Sequence, residues 1–464
     1  MKNLKTIDKL GTSTSTIKKD SAKYYKRFIV KTKYEADILE KGIHCINNKY
    51  SQSIEMPINI KFNESEDGRR SNIVNYEQNS LKPWIIPEWI TGEQLYWVGQ
   101  TILNQQLLLI ENECCLVDAR PDNYWLATNK GRLVDLGSIK PLTNQNLLSF
   151  EIDFKNHFIH PLILEKSLNI PVSLFFKGKL QSTNMNLWGL SRNFKSLENI
   201  KDLIKHSTIN YISNKISSSS PDFIKFLNSE AQSSNKDLNI PKVRDSIRKK
   251  IIQINEIKPC NPSQSNWQNY KDFHDKSYNE KKISAIKDFV EMNKLHTKIV
   301  DLGANLTTKD INEIHVRIDN DMSICREMRQ LYNDKKIILQ VDIAESLCNH
   351  QKEFMSPLNC LGEAKAAIIT GLIHHLIIDY GLNIEIFYQK LSMLYDNILL
   401  EFPTSSDPMV QLLIRKKNEM IFWDWEHQHL DTCSDYFDVV NKVNLKKERF
   451  IIQLKNKSLI NAQK

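Results

Sequence analysis

Carboxylates and a histidine pair stand where short apolar runs of this chain end. Ile299-Val300 leads into Asp301-Leu302-Gly303-Ala304-Asn305. Glycine lets a backbone come close to a ligand, and a carboxylate beside it can hold a hydroxyl or an amine. Ile314-His315-Val316-Arg317-Ile318 ends in Asp319-Asn320-Asp321, and Ile337-Ile338-Leu339-Gln340-Val341 ends in Asp342. Ala366-Ala367-Ile368-Ile369 is followed by His374-His375. Histidine titrates near neutral pH, which suits a general base acting on an acceptor hydroxyl. Asn397-Ile398-Leu399-Leu400 ends in Glu401-Phe402, and either Glu401 or Asp407 could contact an acceptor. For Asp407 the stronger expectation is a helix N-cap, because Pro408 stands at the first helical position.

These groups need a scaffold that brings strand ends together. The apolar runs are short, and helical patterns lie between several of them. In a doubly wound α/β sheet, ligands bind outside the carboxyl ends of the strands. Lys298 to Val300 is expected to be the first strand of such a sheet, opening a strand-turn-helix. Tyr436 to Val443 and Arg449 to Leu454 read as a closing hairpin. No second or third glycine follows Gly303, which excludes the G-x-G-x-x-G dinucleotide fingerprint.

Five parallel strands and a closing hairpin are the layout of class I S-adenosylmethionine-dependent methyltransferases. From about Trp267 onward the chain resembles the class I methyltransferase-like proteins of the host-specificity nodulation (NoeA) type. The matching residues are Val300 to Asn305, Ile373-His374-His375-Leu376, and Glu401-Phe402-Pro403-Thr404-Ser405-Ser406-Asp407-Pro408-Met409-Val410. Trp267, Tyr270, Tyr278 and Lys287 precede the first strand in the family's order. The resemblance implies a Rossmann-like domain that binds S-adenosyl-L-methionine through Asp301, Gly303, Ala304 and Asn305. Asp319, with Asp321 as its rival, would hold ribose hydroxyls, and Asp342 the adenine amine. His374 or His375 would serve as base for a small or carbohydrate-like acceptor. Where the family carries threonine-glycine after Ala-Asn, this chain has Leu306-Thr307. The stretch from Asp301 to Asp319 is also about one helical turn short. Both changes fall on the loop under the methionine part of the cofactor. They motivate an alternative reading: a pseudoenzyme whose two halves are binding modules.

The first half carries its own constellation. Asp118 and Asn123 are five apart, and Gly131-Arg132-Leu133-Val134-Asp135-Leu136-Gly137 follows as a short hairpin. One carboxylate can orient a hydroxyl while an amide and a second carboxylate hold a metal. The order and spacing resemble the catalytic loop and Asp-Phe-Gly segment of protein kinases, with Asp118, Asn123 and Asp135 in those roles. Leu116 stands where the loop histidine belongs, no glycine-rich loop precedes it, and no strand lysine is convincing beyond Lys31. The resemblance therefore implies a degenerate α+β kinase-like domain. A phosphotransferase with a structural C-terminal half would need the missing phosphate loop. The alternative is that Asp118 and Asp135 merely cap turns.

The 464 residues suggest two to three domains. The expected division is a flexible tail over 1–23, a kinase-like domain over 24–240, a helical connector over 241–280 and a methyltransferase-like domain over 281–464. Pro259 to Ser265 is expected as the flexible boundary. The net charge of +8 is scattered lysine without an aromatic ladder, so nothing supports nucleic-acid binding. No apolar run reaches the roughly 18 residues of a membrane span. The polar, basic start lacks the apolar core of a secretory signal. The eight cysteines form no C-x-x-C pair and fit reduced thiols in a cytoplasmic protein. His157 with His160, and His427 with His429, lack a third ligand, so no metal site is expected. The acceptor and the oligomeric state are left open.

Overall fold

The computed structural model describes residues 5–6, 15–19, 23–30, 33–50, 54, 56, 59–63, 72–79, 85–127, 131–176, 238–259, 274–332, 335–348, 358, 361, 364–417 and 425–458. Lys31, Trp84, Ser217 to Pro221, Ala231 to Lys236, Trp267, Tyr270 and nearly all of Pro259 to Ser265 lie outside them. The chain divides into two compact units. The first is Met1–Leu81, Ile86–Glu88 and Gly92–Cys260; the second is Lys82–Ile85, Trp89–Thr91 and Asn261–Lys464. No helix among the described residues is long and apolar enough to cross a membrane.

The first unit begins with five strands: β1 (Lys5–Thr6), β2 (Ser15–Lys19), β3 (Lys23–Val30), β4 (Asn59–Asn63) and β5 (Asn72–Asn79). They form an antiparallel sheet in the order β1-β2-β3-β5-β4. The segment expected as a tail thus supplies two strands, and β-branched Thr16 and Ile17 favour that conformation. A helix, Lys33–Lys49, follows β3. The buried helix Gly92–Ile110 then leads to β6 (Cys114–Leu116), β7 (Tyr124–Trp125), β8 (Arg132–Leu133) and β9 (Ile139–Pro141). β6 pairs with β9, and β7 with β8. A further helix starts at Asn144, capped by Thr143. It passes through a π-turn at Lys155–Ile159 into His160–Leu168. Phe150, Phe154 and Phe158 stack along its buried face with centroids 5.8 and 5.0 Å apart.

The charged helix expected as a connector belongs to the first unit. Ile240–Glu256 buries Ile247 and Ile254. Its Asn255 accepts hydrogen bonds from Tyr96 (2.9 Å) and Gln100 (2.7 Å) on the Gly92–Ile110 helix. The two helices come so close that a Cβ on Gly99 would lie 2.6 Å from Ile254. Two buried isoleucines and a polar anchor outweigh the charge of its outer face.

The second unit is built on β10 (Lys298–Leu302), β11 (Ile314–Asp319), β12 (Ile337–Gln340), β13 (Ala364–Ile369), β14 (Asn397–Pro403), β15 (Phe437–Lys446) and β16 (Arg449–Asn456). Their order in the sheet is β12-β11-β10-β13-β14-β16-β15. The first five run parallel, and β16 is antiparallel to both neighbours. All five expected parallel strands and the hairpin are present, each within a few residues of its expected limits. Ile299, Val300, Ala366, Ala367, Ile368, Ile369, Ile398 and Leu400 are fully buried, so both faces of the central strands are covered. The Lys276–Asn293 helix covers one face with Ile286, Phe289 and Val290 against Ile299, Ala366, Ile368 and Leu399. Its N-cap, Asp275, places the start of this layer ahead of the expected boundary at 281.

One expected element is absent. No helix follows β10; residues 303–313 are a series of turns. The carbonyl groups of those turns need donors in the interior, and Arg317 on β11 supplies them. Its Nη1 donates to Ile314 O at 3.0 Å, and its Nη2 to Thr308 O at 3.1 Å and Ile311 O at 2.7 Å. The guanidinium is fully buried and lies 4.2 Å from the centre of the Tyr332 ring, whose hydroxyl donates to Lys309 O. A lysine has no planar fork with which to bridge three carbonyls. Arg317→Lys is expected to lower the unfolding free energy by about 2–4 kcal/mol, the loss of two buried hydrogen bonds from a charged donor. Urea unfolding of the full chain measures it.

Candidate functional site

In the second unit the sheet order reverses between β10 and β13, and a crevice opens outside the carboxyl ends of the strands at such a point. Gly303, at φ +69°, and Asn305, at φ +40°, turn the chain sharply after β10. The N–H groups of Gly303 and Ala304 both donate to Ile318 O, at 2.9 and 3.0 Å. Asn305 N–H donates to Asp319 Oδ2 at 3.0 Å, so the carboxylate ending β11 sits against the turn ending β10. Asp319 Oδ1 accepts from Asp321 N–H at 2.9 Å. Burial outweighs both donors and pushes the Asp319 carboxyl up to about 6.

The structure separates the other expected cofactor residues. Asp301 is fully buried, and its Oδ2 accepts from Thr308 Oγ at 2.5 Å. From the interior it fixes the turns. Ala304 is buried against the Met322–Tyr332 helix. Asp321, the rival of Asp319, caps that helix through Ser323 N–H (2.7 Å) and Ile324 N–H (3.2 Å). Asp342 accepts from Glu345 N–H at 3.1 Å, at the start of the Ile343–Cys348 helix. Next to it stands Tyr380, which sequence reasoning missed. Tyr380 accepts from Asn320 Nδ2 at 3.3 Å, and its hydroxyl is shifted up by burial and then by Asp342. The ring is 52 % exposed. Its place at the end of the short helical segment His375–Asp379 that follows β13 is the one signal the sequence offered.

His374 and His375 lie together with ring centres 4.3 Å apart, but in different surroundings. His374 is 1 % exposed and its Nδ1 has no hydrogen-bond partner. Burial, then His375 and Arg449, hold it well below the usual histidine range. His375 is half-buried, and burial shifts it down while Asp379 opposes the shift. Leu372 packs against the turn on the other side; a Cβ on Gly303 would meet its Cδ2 at 3.2 Å.

Glu401 and Asp407 are tied into a buried ion-pair network around Arg449. Glu401 is fully buried, accepts from Tyr278, and pairs with Lys282 at 2.8 Å and Arg449 at 3.0 Å. Asp407 receives Arg449 through two bonds of 2.6 and 3.1 Å and caps the Pro408–Lys417 helix through Met409 N–H. Burial alone would raise the Glu401 carboxyl, but Lys282 and Arg449 outweigh it and hold it well below the carboxylate range.

In the first unit the segment between β6 and β9 brings Asp118, Asn123 and Asp135 together. Asn123 Nδ2 donates to Asp118 O at 2.8 Å, and Asn123 O accepts from Val134 N–H (2.9 Å) and Asp135 N–H (3.2 Å). The Asp118 carboxyl is shifted up by partial enclosure, then by Asp153 and Asp135. Asp153, one helix later, is a member that spacing did not reveal. Among the described residues no group of three His, Cys, Asp or Glu side chains is placed to hold a metal ion.

No protein-family model and no curated protein matches the chain. The solved structures it is similar to include the bifunctional kinase-methyltransferase WbdD, at 13% identity and TM-score 0.28 over 38% of this chain and 39% of that one. The 16S rRNA methylase ArmA is similar at 12% identity and TM-score 0.27, over 42% of this chain and 100% of that one. A SAM-dependent methyltransferase from Thermotoga maritima, described as a possible histamine N-methyltransferase, is similar at 9% identity and TM-score 0.26, over 39% and 91%. The chain thus spans about 40% of the length of WbdD. With TM-scores this low, the fold assignment rests on the strand order itself.

Glu401→Gln would leave Lys282 and Arg449 buried against a neutral group. The expected cost is about 3–5 kcal/mol of unfolding free energy. The folded-state carboxyl titrates below its ordinary value of 4.5, so its contribution is present above pH 4.5 and is lost as pH falls below it. Urea unfolding between pH 3 and pH 7 is expected to show wild type and variant converging at the acid end.

Proposed function

We propose that the second unit binds S-adenosyl-L-methionine and transfers its methyl group to a hydroxyl of a small, carbohydrate-like acceptor. The observation that carries this reading is the half-buried Asp319 carboxylate. It ends the second strand of a sheet ordered 3-2-1-4-5-7-6 within this unit and hydrogen-bonds to the turn after the first strand. Asp319 has acceptor capacity left for ribose hydroxyls. Tyr380 offers an exposed ring, and Asn320 and Asp342 lie beside it, as an adenine base needs. The bound cofactor supplies an electrophilic methyl group. The chain must align the acceptor hydroxyl, exclude water and take up a proton. His375 is the better base of the pair, because His374 is sealed and close to Arg449, which opposes its protonation. The sugar class of the acceptor rests on the resemblance to the nodulation-type proteins alone.

A second reading is favoured by two observations. Leu372 packs against Gly303, and the turns of 303–313 present no helix N-terminus to the methionine carboxylate. A pseudoenzyme that uses the crevice only to bind a ligand fits them. The first unit, whose helix after β3 and loop of Asp118, Asn123 and Asp135 follow the order of kinase parts, would then be a degenerate kinase-like binding module.

Isothermal titration with S-adenosylmethionine separates the two. Binding is expected, and Asp319→Ala should weaken it by roughly 1–3 kcal/mol. The Asp319 carboxyl is shifted up to about 6, and ribose hydroxyls donate to its ionised form. Affinity should therefore rise between pH 5 and pH 7, with a proton released on binding near pH 6, read as a buffer-dependent enthalpy. His375→Gln should lower turnover by about 10²–10⁴-fold with cofactor affinity unchanged. Absence of binding in the wild type selects the pseudoenzyme. A screen that finds only protein or nucleic-acid methylation rejects the sugar acceptor.

A further inference from the structure

The charges gathered around Arg449 do not balance. Lys282 pairs with Glu401 at 2.8 Å, and Arg449 ties Glu401 (3.0 Å) to Asp407 (2.6 Å). Those two cations and two carboxylates cancel. Asp301, which also senses Lys282, is answered by Arg317. Lys446 is the charge left over. It stands 3.9 Å from Asp407 Oδ2, an oxygen that already takes Arg449 Nε at 2.6 Å. Its side chain is 28 % exposed, whereas those of Lys282, Glu401, Asp407 and Arg449 are buried. Lys446 Nζ lies 6.0 Å from the centre of the Tyr278 ring, and the His274 ring stacks on the same tyrosine with centroids 4.0 Å apart. Burial and then Arg449 push His274 down to about 4; Glu401 opposes this, and Lys282 and Lys446 add to it. The imidazole is therefore uncharged at neutral pH, in a field where three cations face one carboxylate.

The sheet sets the position of this group. Pro403 of β14 pairs with Arg449 of β16, so the turn between β15 and β16 stands at the carboxyl end of β14. Asp319 ends β11, with β10 and β13 in between. The group thus borders the crevice on the side away from Asp319. A surplus cation at the rim of buried ion pairs adds cost rather than stability unless something answers it.

We propose that Lys446 holds a carboxylate of the acceptor, against a wall formed by His274 and the Tyr278 ring, so that the acceptor is a monoanionic sugar acid. This rests on the reading of the crevice as an acceptor site and names the substrate class it takes. One surplus positive charge matches a monoanion. A phosphate dianion would leave a negative charge uncompensated beside Asp407 and Glu401. A neutral sugar would leave Lys446 as it is.

The test is a titration of the full chain, labelled in its histidine rings, with D-glucuronate in low salt at pH 7.5. The His274→Gln variant identifies the His274 resonance. Glucuronate is expected to shift it with a Kd of about 1–10 mM, and D-glucose is not. Lys446→Met should weaken glucuronate by about tenfold or more, while Lys446→Arg, which keeps the charge, should stay within about twofold of wild type. Thermal melting checks that both variants keep their fold. No response to glucuronate overturns the proposal, as does an equal response to glucose or a Lys446→Met variant with wild-type affinity. Tighter binding of D-glucose 6-phosphate than of glucuronate overturns the monoanion assignment. S-adenosylmethionine titrated into the same samples tests methyl transfer separately. A chain that takes glucuronate but no S-adenosylmethionine keeps this site and loses that reading.

Discussion

The second unit depends on a buried guanidinium doing the work of a helix. Parallel strands need a long connection, usually helical, so that the backbone of the crossover satisfies itself. Between β10 and β11 the chain has only residues 303–313, laid out as turns. Turns leave carbonyl groups pointing inward, and Arg317 collects those of Thr308 and Ile311, together with that of Ile314 at the start of β11. Burying the charge is costly; it is offset by three acceptors and the Tyr332 ring. Asp301 adds a second anchor from beneath through Thr308. With the turns fixed in this way, Gly303 and Asn305 reach the left-handed conformations that bring Asn305 N–H onto Asp319. The candidate site inherits its geometry from the interior.

The same economy explains which polar residues remain available for chemistry. Of the carboxylates near the carboxyl ends of the strands, Asp301 holds a loop, Asp321 and Asp407 cap helices, and Glu401 neutralises Lys282 and Arg449. Each is committed where low dielectric makes an unpaired partner expensive. Among the described residues two main-chain N–H groups donate to the Asp319 carboxylate, which leaves lone pairs on it. Its upward shift records that it is not fully compensated. Such incompletely satisfied carboxylates are where ligand hydroxyls gain the most.

The sequence made some of this legible and hid the rest for physical reasons. The five parallel strands could be read because burial on both faces demands continuous apolar runs, as in Ala366 to Ile369 and Ile398 to Leu400. The Asp407 cap could be read because Pro408 marks a first helical turn. The missing helix could not: Leu306-Thr307-Thr308 is compatible with a helix start, and only the Arg317 contacts from a neighbouring strand decide against it. The membership of Ile240–Glu256 in the first unit was hidden by its charged outer face, since two isoleucines and Asn255 make the attachment. Asp153 joins Asp118 and Asp135 only through the fold.

The two histidines show how adjacency in sequence can disguise a division of labour. Both lie in one segment after β13, yet a single residue's rotation about the helix seals one and half-opens the other. His374 is buried with its Nδ1 unpartnered, and burial, then His375 and Arg449, raise the cost of its gaining a proton. Its contribution is packing beneath the site, next to the Glu401–Arg449 network. His375 keeps a solvent-facing part and Asp379 beside it, which supports a transient positive charge. A base must be able to hold the proton it removes. Burial and neighbouring charge, and not adjacency in sequence, therefore distinguish the two rings.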